Sequence, residues 1–102
     1  MKVNLSVYSV YFDNINRGIK TTEYRDLTPY YVDKFVDKSH YEGKTSEEIV
    51  EILRKGGKLY PLPIEAITFH NNGRVLTMSV KEIKTYDHNT IFAIKLGKRI
   101  ND

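Results

Sequence analysis

Gly18-Ile19-Lys20-Thr21-Thr22-Glu23-Tyr24-Arg25 is the stretch of sequence that decides the fold of this chain. It follows a segment from Ser9 to Arg17 that has the pattern of a short helix, with Ser9 as its N-cap. Gly18 tolerates a left-handed backbone and therefore predicts the end of this helix. Lys20 to Asp26 then predicts a strand. The inner side of the helix is expected to carry four apolar residues, Tyr11, Phe12, Ile15 and Ile19.

Three further patterns predict the elements before and after this stretch. Residues 2–8 alternate apolar and polar side chains, which is typical of a half-buried strand. Thr28-Pro29 places an N-cap before a proline at the first helical position and predicts a second helix. Thr45-Ser46-Glu47-Glu48 is a capping box that opens a third helix.

The last third of the chain has the pattern of β structure. Ile64 to His70, Val75 to Tyr86 and Ile91 to Leu96 are predicted strands. Asn71-Asn72-Gly73 predicts a tight hairpin because Asn and Gly accept positive φ. Asp87-His88-Asn89 predicts a second turn. The expected order is therefore β-α-β-α-α-β-β-β.

A five-stranded sheet with many turns tends to curl closed, which removes its edges. The predicted fold class is α+β: a small, partly open β-barrel of about five strands with two to three flanking helices. The length of 102 residues suits one domain, over residues 1–102. The oligomeric state stays open.

Composition excludes several classes of function. The absence of cysteine excludes a disulfide framework, a thiolate zinc site and a cysteine nucleophile. His40, His70 and His88 are scattered without metal-ligand spacing, so neither a metal nor a cofactor is predicted.

No apolar run is long enough to span a bilayer, and residues 1–6 lack the pattern of a signal peptide. The expected location is the cytoplasm, with no membrane partner.

Charge leaves two interpretations open. The formal net charge of +3 permits a nucleic-acid partner without requiring one. If Arg17, Lys20, Arg25 and Arg74 gather at one mouth of the barrel, they form an electrostatic funnel for a phosphate backbone. If they scatter, they only keep the protein soluble.

Lys20, Glu23 and Arg25 have side chains that suit a phosphate or nucleobase site. Lysine attracts phosphate, glutamate accepts hydrogen bonds from the amino edge of a base, and arginine binds phosphate through two bonds. In a regular strand, however, Lys20 and Glu23 point to opposite faces. They converge only if Lys20 lies in the turn or the strand is bulged. The alternative is a Glu23–Arg25 pair with Lys20 as an exposed charge at the helix end.

A glycine-ended helix followed by Lys-x-x-Glu-x-Arg, here Lys20, Glu23 and Arg25, resembles the ASCH domains. These are small PUA-like barrels associated with RNA and nucleotides. The resemblance extends to Leu27-Thr28-Pro29-Tyr30 and to residues 67–73, and it is strongest to short, phage-type members. It implies a barrel-mouth pocket that binds RNA or a nucleotide through Lys20, Thr22, Glu23, Tyr24, Arg25, Arg17, His70 and Arg74, with Tyr24 available for stacking.

Two other functions remain as alternatives. One ASCH branch consists of amidohydrolases that remove acyl groups from acetylated cytidine; it keeps the lysine, has threonine in place of Glu23 and uses a downstream glutamate. Glu65 and Glu82 are the candidates for that glutamate, and the departure at Glu23 argues against carrying the activity over. Lys20 and Glu23 are catalytic candidates only if the chain is an enzyme acting on a modified nucleoside.

The third function is a phage or mobile-element module that binds or inhibits a host protein. Its expected surface is the middle segment, residues 41–60, which a minimal barrel lacks. An exposed patch of tyrosines would favour this function, the candidates being Tyr30, Tyr31, Tyr41 and Tyr60.

Overall fold

A computed structural model describes residues 1–100 of the chain. The predicted order of five strands and three helices is confirmed, and a short 3₁₀ helix is added between the second and third helices. The elements are β1 (Lys2–Ser6), α1 (Ser9–Asn16), β2 (Thr22–Asp26), α2 (Pro29–Phe35), the 3₁₀ helix (Lys38–Tyr41), α3 (Ser46–Arg54), β3 (Ala66–Asn71), β4 (Arg74–Tyr86) and β5 (Ile91–Ile100).

All five strands belong to one sheet with the order β1-β3-β4-β5-β2. The sheet is mixed, because β1 runs parallel to β3 and β3 runs antiparallel to β4. The α+β fold class is confirmed as a curled, partly open half-barrel with three α-helices. The Asn-Gly hairpin is also confirmed: Asn72 and Gly73 both have positive φ, 47° and 81°, as a type I′ turn requires.

The chain divides into two compact units. Unit 1 comprises Met1–Glu23, Pro63–Glu82 and residues 94–100, and unit 2 comprises Tyr24–Leu62 and Ile83–Ala93. Strands β2, β4 and β5 contribute residues to both units.

The core of unit 1 follows directly from strand alternation. Two rows across β1, β3 and β4 are fully apolar and buried: Val3, Ile67 and Met78, then Leu5, Phe69 and Leu76. Helix α1 adds Phe12 and Ile15, which are 5% and 1% exposed. The expectation that Tyr11 and Ile19 also point inward is wrong, since they are 46% and 68% exposed.

The correction has a simple geometric reason. Helix α1 has only eight residues, so its buried stripe holds one residue from each of two turns. Tyr11 lies on the flank of that stripe, and Ile19 lies beyond the turn at Gly18. The prediction that Ser9 is the N-cap of α1 is also wrong. The N-cap is Tyr8, whose side chain makes no hydrogen bond to the helix.

Unit 2 is built around the packing of α2 and α3. The buried residues Val32 and Phe35 of α2 lie with Ile49 and Leu53 of α3 in its core. The Phe35 ring also packs edge-on against Phe92, with the centroids 5.4 Å apart. Both predicted N-termini are confirmed: Thr28 caps α2, and α3 starts with a capping box made by Thr45 and Glu48.

Gly97 on β5 is required by a close approach to β4. A Cβ at this position would overlap Ser79 Oγ. That oxygen cannot simply turn away, because it accepts a hydrogen bond from the Lys98 backbone N–H at 2.9 Å.

We therefore expect Gly97→Ala to lower the free energy of unfolding by roughly 2 kcal/mol, because forcing atoms into a packed site typically costs 1–3 kcal/mol. The measurement is urea denaturation followed by circular dichroism. The double variant Ser79→Ala/Gly97→Ala removes the overlapping oxygen and should be more stable than Gly97→Ala alone. A double variant less stable than Gly97→Ala would contradict the overlap.

Three carboxylates of unit 2 link or cap its helical segments. Lys38 Nζ lies 2.8 Å from Asp33, and this ammonium together with the Ser46 hydroxyl holds the pKa of Asp33 below its usual range. Hydrogen bonds from the Ser39 hydroxyl and backbone N–H lower the pKa of Asp37. The Thr45 backbone N–H and hydroxyl lower the pKa of Glu48.

A lowered pKa in the folded chain stabilises it above the unfolded value of about 4. This contribution is lost as the pH falls through the lowered pKa values of the folded state. Asp33→Asn keeps an acceptor for Lys38 and Ser46 but does not titrate. In thermal melts from pH 7 to pH 2, we expect its melting temperature to lie below that of the wild type at pH 7. The difference should narrow towards pH 2, and a constant difference would contradict the assignment.

Candidate functional site

The turn after α1 decides where Lys20 points. Gly18 has a φ of +77°, which favours glycine. The Asn14 carbonyl accepts hydrogen bonds from both the Ile19 and Lys20 N–H groups, at 2.9 and 3.0 Å. Strand β2 begins only at Thr22, two residues later than predicted. Lys20 therefore lies in the turn and is free of the alternation that a strand imposes.

The consequence is a shielded ion pair between Lys20 and Glu23. Lys20 Nζ lies 3.6 Å from Glu23 Oε1, and the two side chains are only 18% and 7% exposed. Lys20 is thus not an exposed charge at the helix end. Its Nζ also lies 5.3 Å from the centroid of the Tyr11 ring, as in a cation–π contact. All three residues belong to unit 1.

Such a pair is an expensive feature for a small domain. Removing an ammonium and a carboxylate from water costs several kcal/mol for each ion, and their mutual attraction offsets this only in part. Glu23 is the only charged residue among the buried residues of the described chain. Pairs of this kind are weak sources of stability and are common at functional sites. Chemically, the pair presents a hydrogen-bond acceptor beside a cationic donor.

Arg17 is the cation next to this turn. It forms the C-cap of α1 and lines an open depression of about 500 Å³, together with Val10, Asp13, Asn14 and Asn16. Within residues 1–100, its guanidinium makes no hydrogen bond or ion pair.

Arg74 and His70 have intramolecular partners. Arg74 donates hydrogen bonds to Asp13 and Asn71, both at 2.8 Å, and its guanidinium lies 4.3 Å from the Phe12 ring centroid. It thereby fastens α1 to the hairpin between β3 and β4. His70 Nε2 lies 2.8 Å from Asn4 Oδ1 on the neighbouring strand.

The remaining predicted residues lie on β2, whose residues are divided between the two units. Thr22 is half-buried and belongs to unit 1, whereas Tyr24 and Arg25 belong to unit 2. Arg25 donates a hydrogen bond to the Tyr31 hydroxyl at 2.9 Å. Tyr24 is 47% exposed, and its ring lies 5.9 Å from that of Tyr86.

The two units differ in charge. Among the described residues, unit 1 holds eight Lys or Arg against four Asp or Glu, and unit 2 holds eight of each. The positive excess of the described chain, four charges, therefore belongs to the unit that contains Lys20, Glu23 and Arg17. Sequence reasoning missed this asymmetry because the basic residues are evenly spread along the chain.

Sequence reasoning also missed the exposed Tyr11 ring beside Lys20 and its aromatic neighbour Tyr8. Tyr8 and Tyr11 have ring centroids 6.3 Å apart and are 78% and 46% exposed. Their spacing of three residues at the start of a helix was the available signal, because such residues lie on neighbouring positions of the helix surface.

The tyrosines proposed for a protein-binding patch do not all reach the surface. Burial raises the pKa of Tyr41, which is 7% exposed and donates a hydrogen bond to the Lys58 carbonyl at 2.8 Å. The ring of Tyr60 stacks on His40 with the centroids 4.1 Å apart. Of the four tyrosines, Tyr30 is the one with a mostly exposed side chain, at 61%.

Comparison with protein-family models, with curated proteins and with solved structures gives no match to this chain. Within residues 1–100, no helix combines the length and the apolar character that crossing a membrane requires. In the same range, His, Asp and Glu side chains form no group of three that is suited to hold a metal ion.

A double-variant test separates a structural role of the Lys20–Glu23 pair from a functional one. We expect Lys20→Met and Glu23→Leu each to lower the free energy of unfolding by about 3 kcal/mol, because each leaves a shielded charge without its partner. The combination Lys20→Met/Glu23→Leu should return to within about 1 kcal/mol of the wild type. Urea denaturation measures all four proteins. Additive losses in the combined variant would show that the pair is needed for stability.

Proposed function

We propose that this chain is a binding module for RNA or a nucleotide, of the ASCH type within the PUA-like barrels, acting in the cytoplasm. The observation that carries the proposal is the shielded Lys20–Glu23 pair beside Tyr11. It combines an acceptor, a cation and an aromatic ring in one small region of unit 1.

Each of these groups matches a part of a nucleotide. The Glu23 carboxylate suits the N–H groups on the edge of a base, and the Lys20 ammonium suits a phosphate or a base carbonyl. The half-exposed Tyr11 ring suits stacking on a base. Arg17 has no described partner, so its guanidinium is available to bind a phosphate through two hydrogen bonds.

The charge distribution supports a polyanionic ligand over a neutral one. Unit 1 has an excess of four positive charges among its described residues. Such an excess attracts a phosphate backbone and makes binding fall as salt rises, because bound counterions are released.

Neither alternative function has comparable support. The carboxylate of Glu65 lies 3.5 Å from the N-terminal ammonium and its side chain is 75% exposed, and Glu82 is also exposed. These are surface carboxylates, so hydrolysis of an acylated nucleoside gains no observation in its favour. The hypothesis of a host-protein partner loses support because Tyr41, one of the tyrosines expected in an exposed patch, is buried.

The experiment is binding of a fluorescein-labelled, single-stranded RNA 10-mer, measured by anisotropy between 50 and 300 mM NaCl. We expect affinity to fall with salt, with a slope of about −0.7 per phosphate contact. Lys20→Ala should weaken binding at least about tenfold and lower the slope by about 0.7. Lys95→Ala is the matched control, since Lys95 is an exposed lysine of the same unit.

The control should change affinity less than threefold, or about 0.7 kcal/mol. Binding that responds neither to salt nor to Lys20→Ala would refute the proposal. Circular dichroism confirms that each variant is folded. Incubation with acetylated cytidine, with release of acetate as the readout, tests the hydrolase alternative in parallel.

A further inference from the structure

Unit 2 carries an exposed pair of aromatic rings that its core does not use. Tyr24 on β2 and Tyr86 at the end of β4 are 47% and 52% exposed. Their ring centroids are 5.9 Å apart and the ring planes are inclined by 33°. Strand β5 lies between β2 and β4 in the sheet. The two rings therefore lean towards each other across a strand and leave half of their surface to solvent.

The turn that follows Tyr86 has an unusual backbone. Asp87, His88 and Asn89 have φ values of 54°, 56° and 60°, a left-handed conformation that costs non-glycine residues energy. Thr90 N–H donates hydrogen bonds to the carbonyls of Tyr86 and Asp87, both at 3.2 Å. Backbones of this kind are concentrated at functional sites, where the surrounding structure holds them in place.

Two side-chain hydrogen bonds also hold the turn in place. The Thr90 hydroxyl donates to the Asp87 carbonyl at 2.6 Å, and the Thr85 hydroxyl donates to Asn89 Oδ1 at 3.1 Å. Thr85, which precedes Tyr86, and Thr90, which follows the turn, are thus both hydrogen-bonded to the turn. The Tyr86 ring is presented from a fixed backbone, which lowers the entropy that a ligand would otherwise lose on binding.

The size of the pair decides what it can bind. Half of each tyrosine surface amounts to about 200 Å² for the two rings together. A stable protein interface needs about 800 Å² from each partner. Strand alternation places Asp26 and Lys84 on the same faces as the rings, so the aromatic surface ends at the pair. A single unpaired nucleobase, which is flat and of similar size, fits this surface, whereas a protein interface does not.

We infer that Tyr24 and Tyr86 form a stacking platform for an unpaired nucleobase, distinct from the Lys20–Glu23 pair of unit 1. The described part of unit 2 has equal numbers of basic and acidic residues, and the two strand residues that share a face with the rings, Asp26 and Lys84, carry opposite charges. Binding here therefore comes from stacking and not from phosphate attraction. Because stacking involves no phosphate, we expect the contribution of the two rings to RNA affinity to be independent of salt concentration.

The test compares three fluorescein-labelled 10-mers: oligo(rA), oligo(rU) and an abasic strand that has phosphates but no bases. Tyr24→Leu/Tyr86→Leu should weaken oligo(rA) binding about tenfold, leave the salt slope unchanged and not affect the abasic strand. Tyr24→Phe/Tyr86→Phe keeps both rings and should bind like the wild type. Tyr30→Leu changes another exposed tyrosine of the same unit and serves as the matched control.

A second readout is the tyrosine emission of the protein, since the chain has eight tyrosines and no tryptophan. Saturating oligo(rA) should quench part of this emission in the wild type, and the quenching should be smaller in Tyr24→Leu/Tyr86→Leu. Circular dichroism and thermal melts show whether this variant is folded. If it is not, the phenylalanine pair is compared with the single variants Tyr24→Leu and Tyr86→Leu.

The outcomes separate this inference from the proposed function. If Tyr24→Leu/Tyr86→Leu loses affinity for oligo(rA) and Lys20→Ala does not, the result supports the platform and refutes the Lys20 site. The reverse result supports the Lys20 site and overturns the platform. An equal loss for the abasic strand, or no binding by the wild type, also overturns it. Self-association of the wild type, measured by sedimentation, would also overturn the platform if Tyr24→Leu/Tyr86→Leu abolishes it. That result would show that the two rings form a contact between copies of the protein.

Discussion

The turn between α1 and β2 is the constraint on which the candidate site depends. One carbonyl, that of Asn14, accepts two consecutive N–H groups, from Ile19 and Lys20. This is possible because Gly18 adopts a left-handed backbone. If the strand had begun at Lys20, alternation would have directed Lys20 and Glu23 to opposite faces. The two residues of turn before β2 instead bring an ammonium and a carboxylate together.

The pair connects the packing of unit 1 to its electrostatics. Glu23 is buried on β2, so it needs a cation close by to remain charged at low cost. Lys20 supplies that cation, and the Tyr11 ring lies within reach of the same ammonium. Around them, unit 1 holds twice as many basic as acidic residues among those described. Burial of the Glu23 carboxylate therefore depends on the same lysine that we propose as the cation for an anionic ligand.

Local patterns predicted local structure well where a few neighbouring residues decide the outcome. The capping box at Thr45 and the Asn72-Gly73 turn formed as expected, because each is satisfied by contacts within four residues. The prediction for Tyr11 and Ile19 failed because burial depends on how far α1 extends over the sheet. The surface pairing of Tyr24 with Tyr86 had no sequence signal, since strand order decides which residues meet across β5.

By itself, the sequence determined the order of the elements, the fold class, the caps and hairpin, and the residue types of the candidate site. Propensity, alternation and capping act over short distances, so they can be read from neighbouring residues. Tertiary structure alone decided that Lys20 faces Glu23, that Tyr41 is buried, and that the positive excess lies in one unit. These outcomes depend on contacts between distant segments and on a two-residue shift in where β2 begins, which short-range patterns do not specify.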